Sequence, residues 1–371
     1  MEIPKEIKDI AAVLAGAGFK AHLVGGCVRD LLTGREPKDW DITTDAVPEE
    51  IQRIFSGFAG ATVENPATVY ENQFGTVGIK TNSENPALKI VEVTTYRIEG
   101  KYSDKRHPDE VKFAETIEED LSRRDFTVNA MAMDIHSRNE DIIDPFSGLT
   151  DLKNKIIRAV GDPEMRFQED ALRMMRAARF MCQLDFEIDP ATEAAMQKHA
   201  GLLEFVSKER IRDEFFKIIG TDFAHEGIYL MEKNGLLKYV IPELSEGVGV
   251  GQNKHHIYSV FEHNVRSLQY SVEQKHAPDV RIASLLHDVG KVKSKRGEGP
   301  DCTFYGHQVV GEKIVLQIAD RLRFPKDIAE RIALLVREHM FVYDPETVTD
   351  AGARRLVRRV GKENLEALFQ L

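Results

Sequence analysis

Two aspartates separated by a tryptophan, Asp39 and Asp41, are the residues of this sequence best suited to chemistry. They belong to residues 23–45, LVGGCVRDLLTGREPKDWDITTD. Side chains alternate faces along a strand, so if residues 38–43 form one, both carboxylates point the same way and Trp40 enters the core. Paired carboxylates suit hard divalent cations, above all Mg²⁺. Two such ions can clamp the attacking and leaving oxygens of a phosphoryl or nucleotidyl transfer.

A Gly-Gly turn precedes the aspartates, between a strand that ends at Val24 and a helix over residues 28–32. Gly25 and Gly26 allow a sharp turn and a close approach of the backbone to a ligand. The first N–H groups of the helix would then face an anion such as a triphosphate. Arg29 suits the same anion, because a guanidinium donates two parallel hydrogen bonds.

The first 150 residues mix strand and helix signals, which predicts an α+β fold. Residues 74–79 and 89–97 favour strands, and in the second of these Glu92 lies on the face opposite Val91 and Val93. A helix should begin at Pro48 with Asp45 as its cap. Residues 127–135 should form a helix and then a strand, and the polar residues 98–112 a mobile loop.

The rest of the chain has a helical pattern throughout, from about Leu152 onward, and predicts an all-α architecture. The segment 242–256, with three glycines and a proline, is the clearest linker candidate. The chain ends in a helical run, LEALFQL, from which we expect a shortened tail.

Composition favours a globular cytoplasmic protein: 42% of the residues are hydrophobic and 30% are charged. We predict neither a membrane span nor a signal peptide. The three cysteines lie far apart in the sequence, which is typical of a reducing compartment. A net charge of −11 argues weakly against nucleic acid, but basic residues cluster locally, at 122–126, 173–180, 208–214 and 353–359.

Five motifs occur in the order typical of one enzyme family: LVGGCVRDLL with DWD, RRDFTVNAMA (123–132), DPFSGLTDL (144–152), EDALRMMRAARF (169–180) and SKERIRDEF (207–215). The chain thereby resembles the class II bacterial tRNA nucleotidyltransferases, which add CCA, and the related poly(A) polymerases. The resemblance implies a nucleotidyltransferase head over residues 1–150 with a five-stranded antiparallel or mixed sheet. A helical neck and body over 151–250 would select the base and bind RNA, followed by a helical tail over 251–371.

The resemblance also implies a role for individual residues. Asp39 and Asp41 match the metal-binding pair, and Glu92 matches a third acid. Gly26 and Arg29, after Gly25, match the residues that hold the nucleoside triphosphate, whereas Asp30 should fix the helix or Arg29. The other nucleotide contacts implied are Arg124 and Asp125 for the ribose, Asp170 and Arg173 for the base edge of CTP or ATP, and Arg176 and Arg179.

An i, i+3, i+6 spacing would place Asp170, Arg173 and Arg176 on one stripe of a helix. On such a stripe, the aspartate can accept a hydrogen bond and an arginine can donate two, so together they can imitate the Watson–Crick partner of a base. The loop pattern Tyr102, Asp104, Arg106 and Pro108 resembles relatives that complete the sequence through the final A.

The tail contains a second constellation, in FEHNVRSL (261–268), ASLLHDVGK (283–291), YGHQVVGEK (305–313) and REHMFVY (337–343). It resembles the HD metal-dependent phosphohydrolases. Imidazoles and an aspartate on converging helices can hold a transition metal and activate water. The candidate ligands are His263, His287, Asp288, His307 and His339. The final Asp of that superfamily has no confident match, since Asp350 comes too early, so either the metal site is incomplete or another residue takes the place of that Asp.

We therefore predict an Mg²⁺-dependent nucleotidyltransferase that adds CMP and AMP to the 3′ end of tRNA from CTP and ATP. Two alternatives stay open. A poly(A) polymerase or A-adding enzyme would share the chemistry and differ in its acceptor or product. An HD-type hydrolase of 2′,3′-cyclic phosphates or 2′-nucleotides would act through His287 and Asp288. No partner protein is implied.

Overall fold

The computed structural model describes residues 2–58, 67–70, 75–99, 111–135, 141–253, 257–341 and 348–371. Contacts divide the chain into two compact units, one of Met1–Asp170 with Glu187–Thr192, the other of Ala171–Phe186 with Glu193–Leu371. The predicted division at residues 150 and 250 stays a prediction. The loop pattern at residues 102–108 lies outside the described residues.

The first unit contains a mixed sheet with helices, as the α+β prediction requires. Its strands are β1 (Ala21–Val24), β2 (Asp41–Thr44), β3 (Thr68–Tyr70), β4 (Thr76–Lys80), β5 (Ile90–Thr95), β6 (Arg97–Glu99), β7 (Val111–Phe113), β8 (Ala132–Asp134), β9 (Ile142–Ile143), β10 (Ile156–Ile157) and β11 (Glu187–Ile188). Its helices are α1 (Lys5–Gly16), α2 (Gly26–Leu32), α3 (Pro48–Ile54), α4 (Ile117–Ser122), α5 (Gly148–Asn154) and α6 (Pro163–Glu169).

Seven strands form the main sheet of the described residues, in the order β3-β4-β5-β2-β1-β8-β9. Strands β2 and β5 are parallel, and the other neighbours are antiparallel. The expected count of five strands is therefore wrong. The outermost strands, β3 and β9, have only three and two residues, and such short edges leave little periodicity in the sequence.

One face of this sheet covers the apolar core of the first unit. Ile7, Ile10 and Leu14 of α1 are fully buried, as is Ile42 of β2. Trp40 is only 6% exposed, which confirms its predicted inward orientation. Burial of such side chains stabilises the unit by about 1.5–3 kcal/mol each, and it fixes the strands that carry the candidate site.

Several local predictions need correction. Strand β2 begins at Asp41, not at residue 38, because its partner β1 ends at Val24, where the chain turns. Asp45 does not cap α3; its Oδ1 accepts from Lys20 N at 2.8 Å, and Val47 is the residue before the helix. The ends of the predicted loop 98–112 belong to β6 and β7, which pair with each other.

The second unit is helical. Its elements are α7 (Leu172–Leu184), α8 (Pro190–His199, which starts in the first unit), α9 (Lys208–Ile219), α10 (Ala224–Lys233), α11 (Leu237–Val240), α12 (Pro242–Ser245), α13 (Val260–Glu273), α14 (Pro278–Leu286), α15 (Lys291–Ser294), α16 (His307–Arg321), α17 (Lys326–Glu338), α18 (Asp350–Val360) and α19 (Leu365–Gln370). The two-residue strands β10 and β11 are exceptions to the helical pattern predicted after Leu152.

Among the described residues, no helix combines the length and apolar character needed to cross a membrane. The three cysteines, Cys27, Cys182 and Cys302, are buried and are not joined in disulfides.

Candidate active site and candidate metal centre

The turn after β1 brings a backbone, a guanidinium and a carboxylate together. Gly25 has φ +81° and ψ −134°, a conformation that is essentially restricted to glycine. A Cβ placed there would lie 3.0 Å from Arg124 Nη1 and 3.9 Å from Asp41 Oδ2. The absence of a side chain at Gly25 therefore lets both charged groups approach the turn.

Asp41 is a half-buried acid at the start of β2. Burial raises its pKa, nearby Arg124 lowers it, and the negative charge of Asp39 raises it again. Asp39 thus acts on Asp41 electrostatically, although it is exposed and precedes the strand. A carboxylate whose ionised form is disfavoured by burial and by another acid gains from a cation, so this pair fits a divalent metal ion.

Glu92 supplies a third carboxylate on the neighbouring strand. It is the register partner of Asp41 in the parallel pair β2–β5. Val91 and Val93 are fully buried while Glu92 is exposed, which confirms the predicted alternation. Register partners point to the same side of a sheet, so Glu92 and Asp41 are neighbours on one face.

Arg29 is held in a hydrogen-bonded chain beneath the turn. Its side chain is 4% exposed and donates through Nε and Nη2 to Asp30 Oδ1 at 2.9 and 2.8 Å. Its Nη1 donates to Asn129 Oδ1 at 2.5 Å, and Asn129 Nδ2 donates to Asp125 Oδ1 at 3.1 Å. The interpretation that Asp30 fixes Arg29 agrees with these bonds. Arg29 and Asp125, two predicted nucleotide contacts, are joined through Asn129.

Two residues that accept hydrogen bonds from arginines near the turn have no role in the sequence interpretation. Asn129 lies within the RRDFTVNA motif, which is the only signal that could have identified it. Asp120 is fully buried; it accepts from Arg123 Nη2 at 2.8 Å and from Arg124 Nη2 at 3.3 Å. Burial opposes its ionisation, but Arg124 and Arg123 outweigh burial and lower its pKa. The i, i+3, i+4 spacing of these three residues is a recognisable signal.

The predicted base-reading residues do not share one helical stripe. Helix α6 ends at Glu169, Asp170 has an extended backbone with φ −142°, and α7 begins only at Leu172. The i, i+3 relation of Asp170 to Arg173 on a helix is therefore wrong. Arg173 and Arg176 both lie on α7, the first buried and the second half-buried.

Arg179, on the same helix, has a structural partner. Its Nη1 donates to Glu214 Oε1 on α9 at 3.0 Å, and both side chains are largely buried, at 11% and 5% exposed. Its guanidinium also lies 4.3 Å from the centre of the Phe180 ring. The proposed nucleotide contacts of α7 stay predictions.

The four candidate histidines of the tail converge on the fifth candidate ligand, Asp288. Its Oδ2 lies 3.1 Å from Nε2 of both His263 and His287. Its Oδ1 lies 3.2 Å from His307 Nε2 and 3.8 Å from His339 Nε2. Asp288 thus belongs to two groups of three potential ligands, each with its ligand atoms within 4.8 Å of one another.

Backbone carbonyls fix the orientation of three of these imidazoles. Nδ1 donates to a carbonyl three residues earlier at 2.8 Å in His287, 2.8 Å in His307 and 2.7 Å in His339. A carbonyl only accepts, so each Nδ1 carries a proton, and each Nε2 is the nitrogen turned toward Asp288. Metal-binding histidines are commonly held in this way.

Charge at the centre also fits a cation. Asp288 is 2% exposed, and its Oδ1 accepts no hydrogen bond from the described residues despite the nearby imidazoles. Burial lowers the pKa of His339 to about 4, so this ring is neutral at neutral pH, as a ligand must be. Lys291 Nζ contacts Asp288 Oδ2 at 2.7 Å. Nitrogen-rich donors favour a transition metal. Asp350 is exposed at the start of α18 and belongs to neither described group.

Comparison with known proteins agrees with this architecture. Residues 21–158 match the family described as the poly A polymerase head domain, and residues 260–368 match the HD domain. Residues 185–247 match the family described as the probable RNA and SrmB-binding site of polymerase A.

Curated relatives match part of the chain. The CCA-adding enzyme of Lactobacillus helveticus is 48% identical over 209 residues, which are 56% of this chain and 48% of that protein. The CCA-adding enzyme of Lactococcus lactis is 44% identical over 249 residues, 66% of this chain and 58% of that protein. The chain spans about half the length of the curated relatives it matches.

Solved structures match over the whole chain. The Bacillus stearothermophilus CCA-adding enzyme in complex with CTP has a TM-score of 0.73 and 31% identity, covering 100% of this chain and 79% of that one. The Thermotoga maritima CCA-adding enzyme complexed with tRNA shares the fold, with a TM-score of 0.64 and 21% identity over 98% of this chain and 77% of that one.

The mixed-sheet head with its acidic site and the helical remainder with an HD tail define a protein of the nucleotidyltransferase fold. The chain belongs to the family of CCA-adding enzymes and poly(A) polymerases, which confirms the resemblance found in its motifs. Enzymes of this family use divalent metal ions.

Proposed function

We propose that this protein is a template-independent nucleotidyltransferase that adds CMP and AMP to the 3′ end of tRNA, with CTP and ATP as donors. The observation that supports it most directly is the approach of Asp41 and Arg124 to the Gly25 turn, with Glu92 in register beside Asp41. An acidic face next to a glycine turn suits a metal-bound triphosphate.

The reaction would need few covalent steps from the protein. The 3′ oxygen of the RNA forms a bond to the α-phosphorus, the bond from that phosphorus to the bridging oxygen breaks, and pyrophosphate leaves. Asp39 and Asp41 would hold Mg²⁺, which would lower the pKa of the attacking hydroxyl and offset negative charge on the α-phosphate. Glu92 would accept the hydroxyl proton, directly or through a water molecule.

Arginine and asparagine side chains would orient the nucleotide. Arg124 places its Nη1 at the Gly25 turn, where a guanidinium can donate to an oxygen of the substrate. Asn129 would keep Arg29 and Asp125 in their relative positions. Such fixed geometry is a large part of catalysis in phosphoryl transfer.

Addition to a tRNA that lacks its CCA end tests this proposal. We expect CMP and AMP incorporation with both triphosphates, and arrest after the C residues when ATP is withheld. Long runs of A without C would instead identify a poly(A) polymerase. Asp41→Asn should abolish addition, whereas Asp9→Asn, which removes an exposed acid from α1, should not.

The base-reading role of Asp170 and Arg173 rests on the sequence motif, as do the further nucleotide contacts of Arg176 and Arg179. Arg173→Ala should change the ratio of kcat/KM for CTP to kcat/KM for ATP, because only base discrimination is lost. An equal loss for both triphosphates would indicate a structural role instead.

A second candidate function is supported by the convergence of four histidines on Asp288. With a bound transition metal, this centre could activate water for hydrolysis of 2′,3′-cyclic phosphates or 2′-nucleotides. His287→Ala should abolish hydrolysis and leave CMP addition intact, and Asp39→Ala should do the reverse. Hydrolysis that survives His287→Ala would exclude this centre.

The location we propose is the cytoplasm, in agreement with the unpaired cysteines.

A further inference from the structure

Helix α18 has four arginines on one face. Arg354, Arg355, Arg358 and Arg359 are spaced at i, i+1, i+4 and i+5. At about 100° per residue they occupy an arc of roughly 140°, and Leu356, Val357 and Val360 occupy the opposite side. The helix is therefore amphipathic, with an entirely cationic polar face, which we call the arginine face.

Most of this face is open to solvent and has few counter-charges among the described residues. Arg354, Arg355 and Arg358 are exposed. Within the described ranges, only Arg359 has an acidic partner, Glu338, at 2.8 Å. Residues 351–361 contain no acid, in a chain that has 61 acidic residues and 50 Lys and Arg. The arginine face is thus a local exception to the negative charge of the protein.

Helix electrostatics explain only part of this arrangement. Cations in the last turn of a helix interact favourably with its dipole, which accounts for Arg358 and Arg359. Arg354 and Arg355 lie in the first half of the helix, where the dipole offers them no such benefit. Four guanidiniums along one face instead match a polymer of regularly spaced anions, because each can donate two hydrogen bonds to a phosphate.

We propose that the arginine face of α18 binds the phosphate backbone of RNA. The inference rests on the proposed function, which makes tRNA the acceptor. It assigns RNA contacts to residues 354–359, which lie outside the region 185–247 that matches the RNA-binding family. Backbone contacts of this kind position an RNA without reading its sequence.

The test compares two triple variants that lose the same charge. The first is Arg354→Gln with Arg355→Gln and Arg358→Gln, which spares the ion pair of Arg359. The control is Lys5→Gln with Lys8→Gln and Lys89→Gln, three exposed lysines of the first unit. The Kd for tRNA is measured without nucleotide over a range of salt concentrations, and KM for tRNA and for CTP in the addition assay.

We expect the arginine variant to bind tRNA at least about tenfold more weakly at low salt. The slope of log Kd against log salt should fall by about 2, since each lost phosphate contact removes roughly 0.7–0.9. Its KM for tRNA should rise while KM for CTP and the thermal melting temperature stay unchanged. The lysine control should keep the parental slope. If the triple variant is unstable, the double variant Arg354→Gln with Arg355→Gln should lower the slope by more than 1.

Three results would overturn the inference. The first is an unchanged slope of log Kd against log salt in an arginine variant that still adds nucleotides, and the second is an equal loss of tRNA binding in the lysine control. The third is an arginine variant that loses binding to anionic lipid vesicles but keeps its binding to RNA. Failure of the parent chain to add nucleotides would refute the proposed function alone, because RNA binding is measured separately. Failure of the parent chain to bind RNA would refute both.

Discussion

Replacement of Gly25 by alanine should damage the candidate active site through a single methyl group. The residue has φ +81° and ψ −134°, so alanine there costs about 1–3 kcal/mol of backbone strain. Alanine also lowers the conformational entropy of the unfolded chain, which offsets about 0.4–1 kcal/mol of this cost. The new Cβ also lies 3.0 Å from Arg124 Nη1, and Asp120 holds that guanidinium through Nη2 at 3.3 Å. We expect the free energy of unfolding to fall by about 2 kcal/mol.

Nucleotide addition should suffer more than stability. Arg124 cannot yield without weakening its bond to Asp120, and a misplacement of about 1 Å can reduce a rate about 100-fold. The assay is single-turnover CMP addition, with urea denaturation of the same samples. Gly18→Ala is the matched control, because Gly18 has φ +93° and no atom within 4 Å of the added Cβ. It should lose stability through strain and keep the parental rate.

The comparison of the two alanine variants decides whether the turn matters for chemistry. Equal rates for Gly25→Ala and Gly18→Ala would refute the reasoning, because the contact with Arg124 would then have no consequence. Gly26→Ala offers a milder case. Its Cβ would meet Arg29 Nη2 at an ordinary 3.6 Å and its φ is not positive, so stability should change little.

Three further outcomes are expected. Asp120→Asn should lower the free energy of unfolding by about 3 kcal/mol at neutral pH. Because the pKa of Asp120 lies below its usual 3.8 in the folded protein, the difference from the parent should shrink as the pH falls from 3.8 through the lower pKa of the folded state. Urea denaturation over a pH series measures this difference. Gly290→Ala should destabilise the tail, because its Cβ would come 2.1 Å from the carbonyl oxygen of His307, and thermal melting should show it. Asp288→Asn should abolish Ni²⁺ or Co²⁺ uptake measured by calorimetry and leave CMP addition intact; undiminished uptake would exclude this centre.

The sequence predicts best those features that depend on local periodicity. Alternation in residues 91–95 correctly placed Glu92 on the open face. The adjacent His-Asp pair and its distant histidines were identified from motifs although they span residues 263–339, and the structure brings them together. The helix after the Gly-Gly turn was also predicted, except that it begins at Gly26.

Features that depend on partners distant in sequence were predicted poorly. Strand β2 begins at Asp41 because β1 ends at the Gly25 turn, which no pattern within residues 38–43 indicates. Asp170 continues the helical spacing of its motif, yet the helix breaks between Glu169 and Leu172. Asn129 became a candidate only once its two hydrogen bonds were known.

The buried cysteines make this protein convenient for site-directed labelling. Burial raises the pKa of Cys27 to about 11 and that of Cys182 to about 12, so both thiols stay protonated at neutral pH. Cys302 is 2% exposed. Because maleimides react with accessible thiolates, one cysteine introduced on the surface would be modified selectively without removal of the native three. A fluorophore attached in this way could report directly on encounters with RNA.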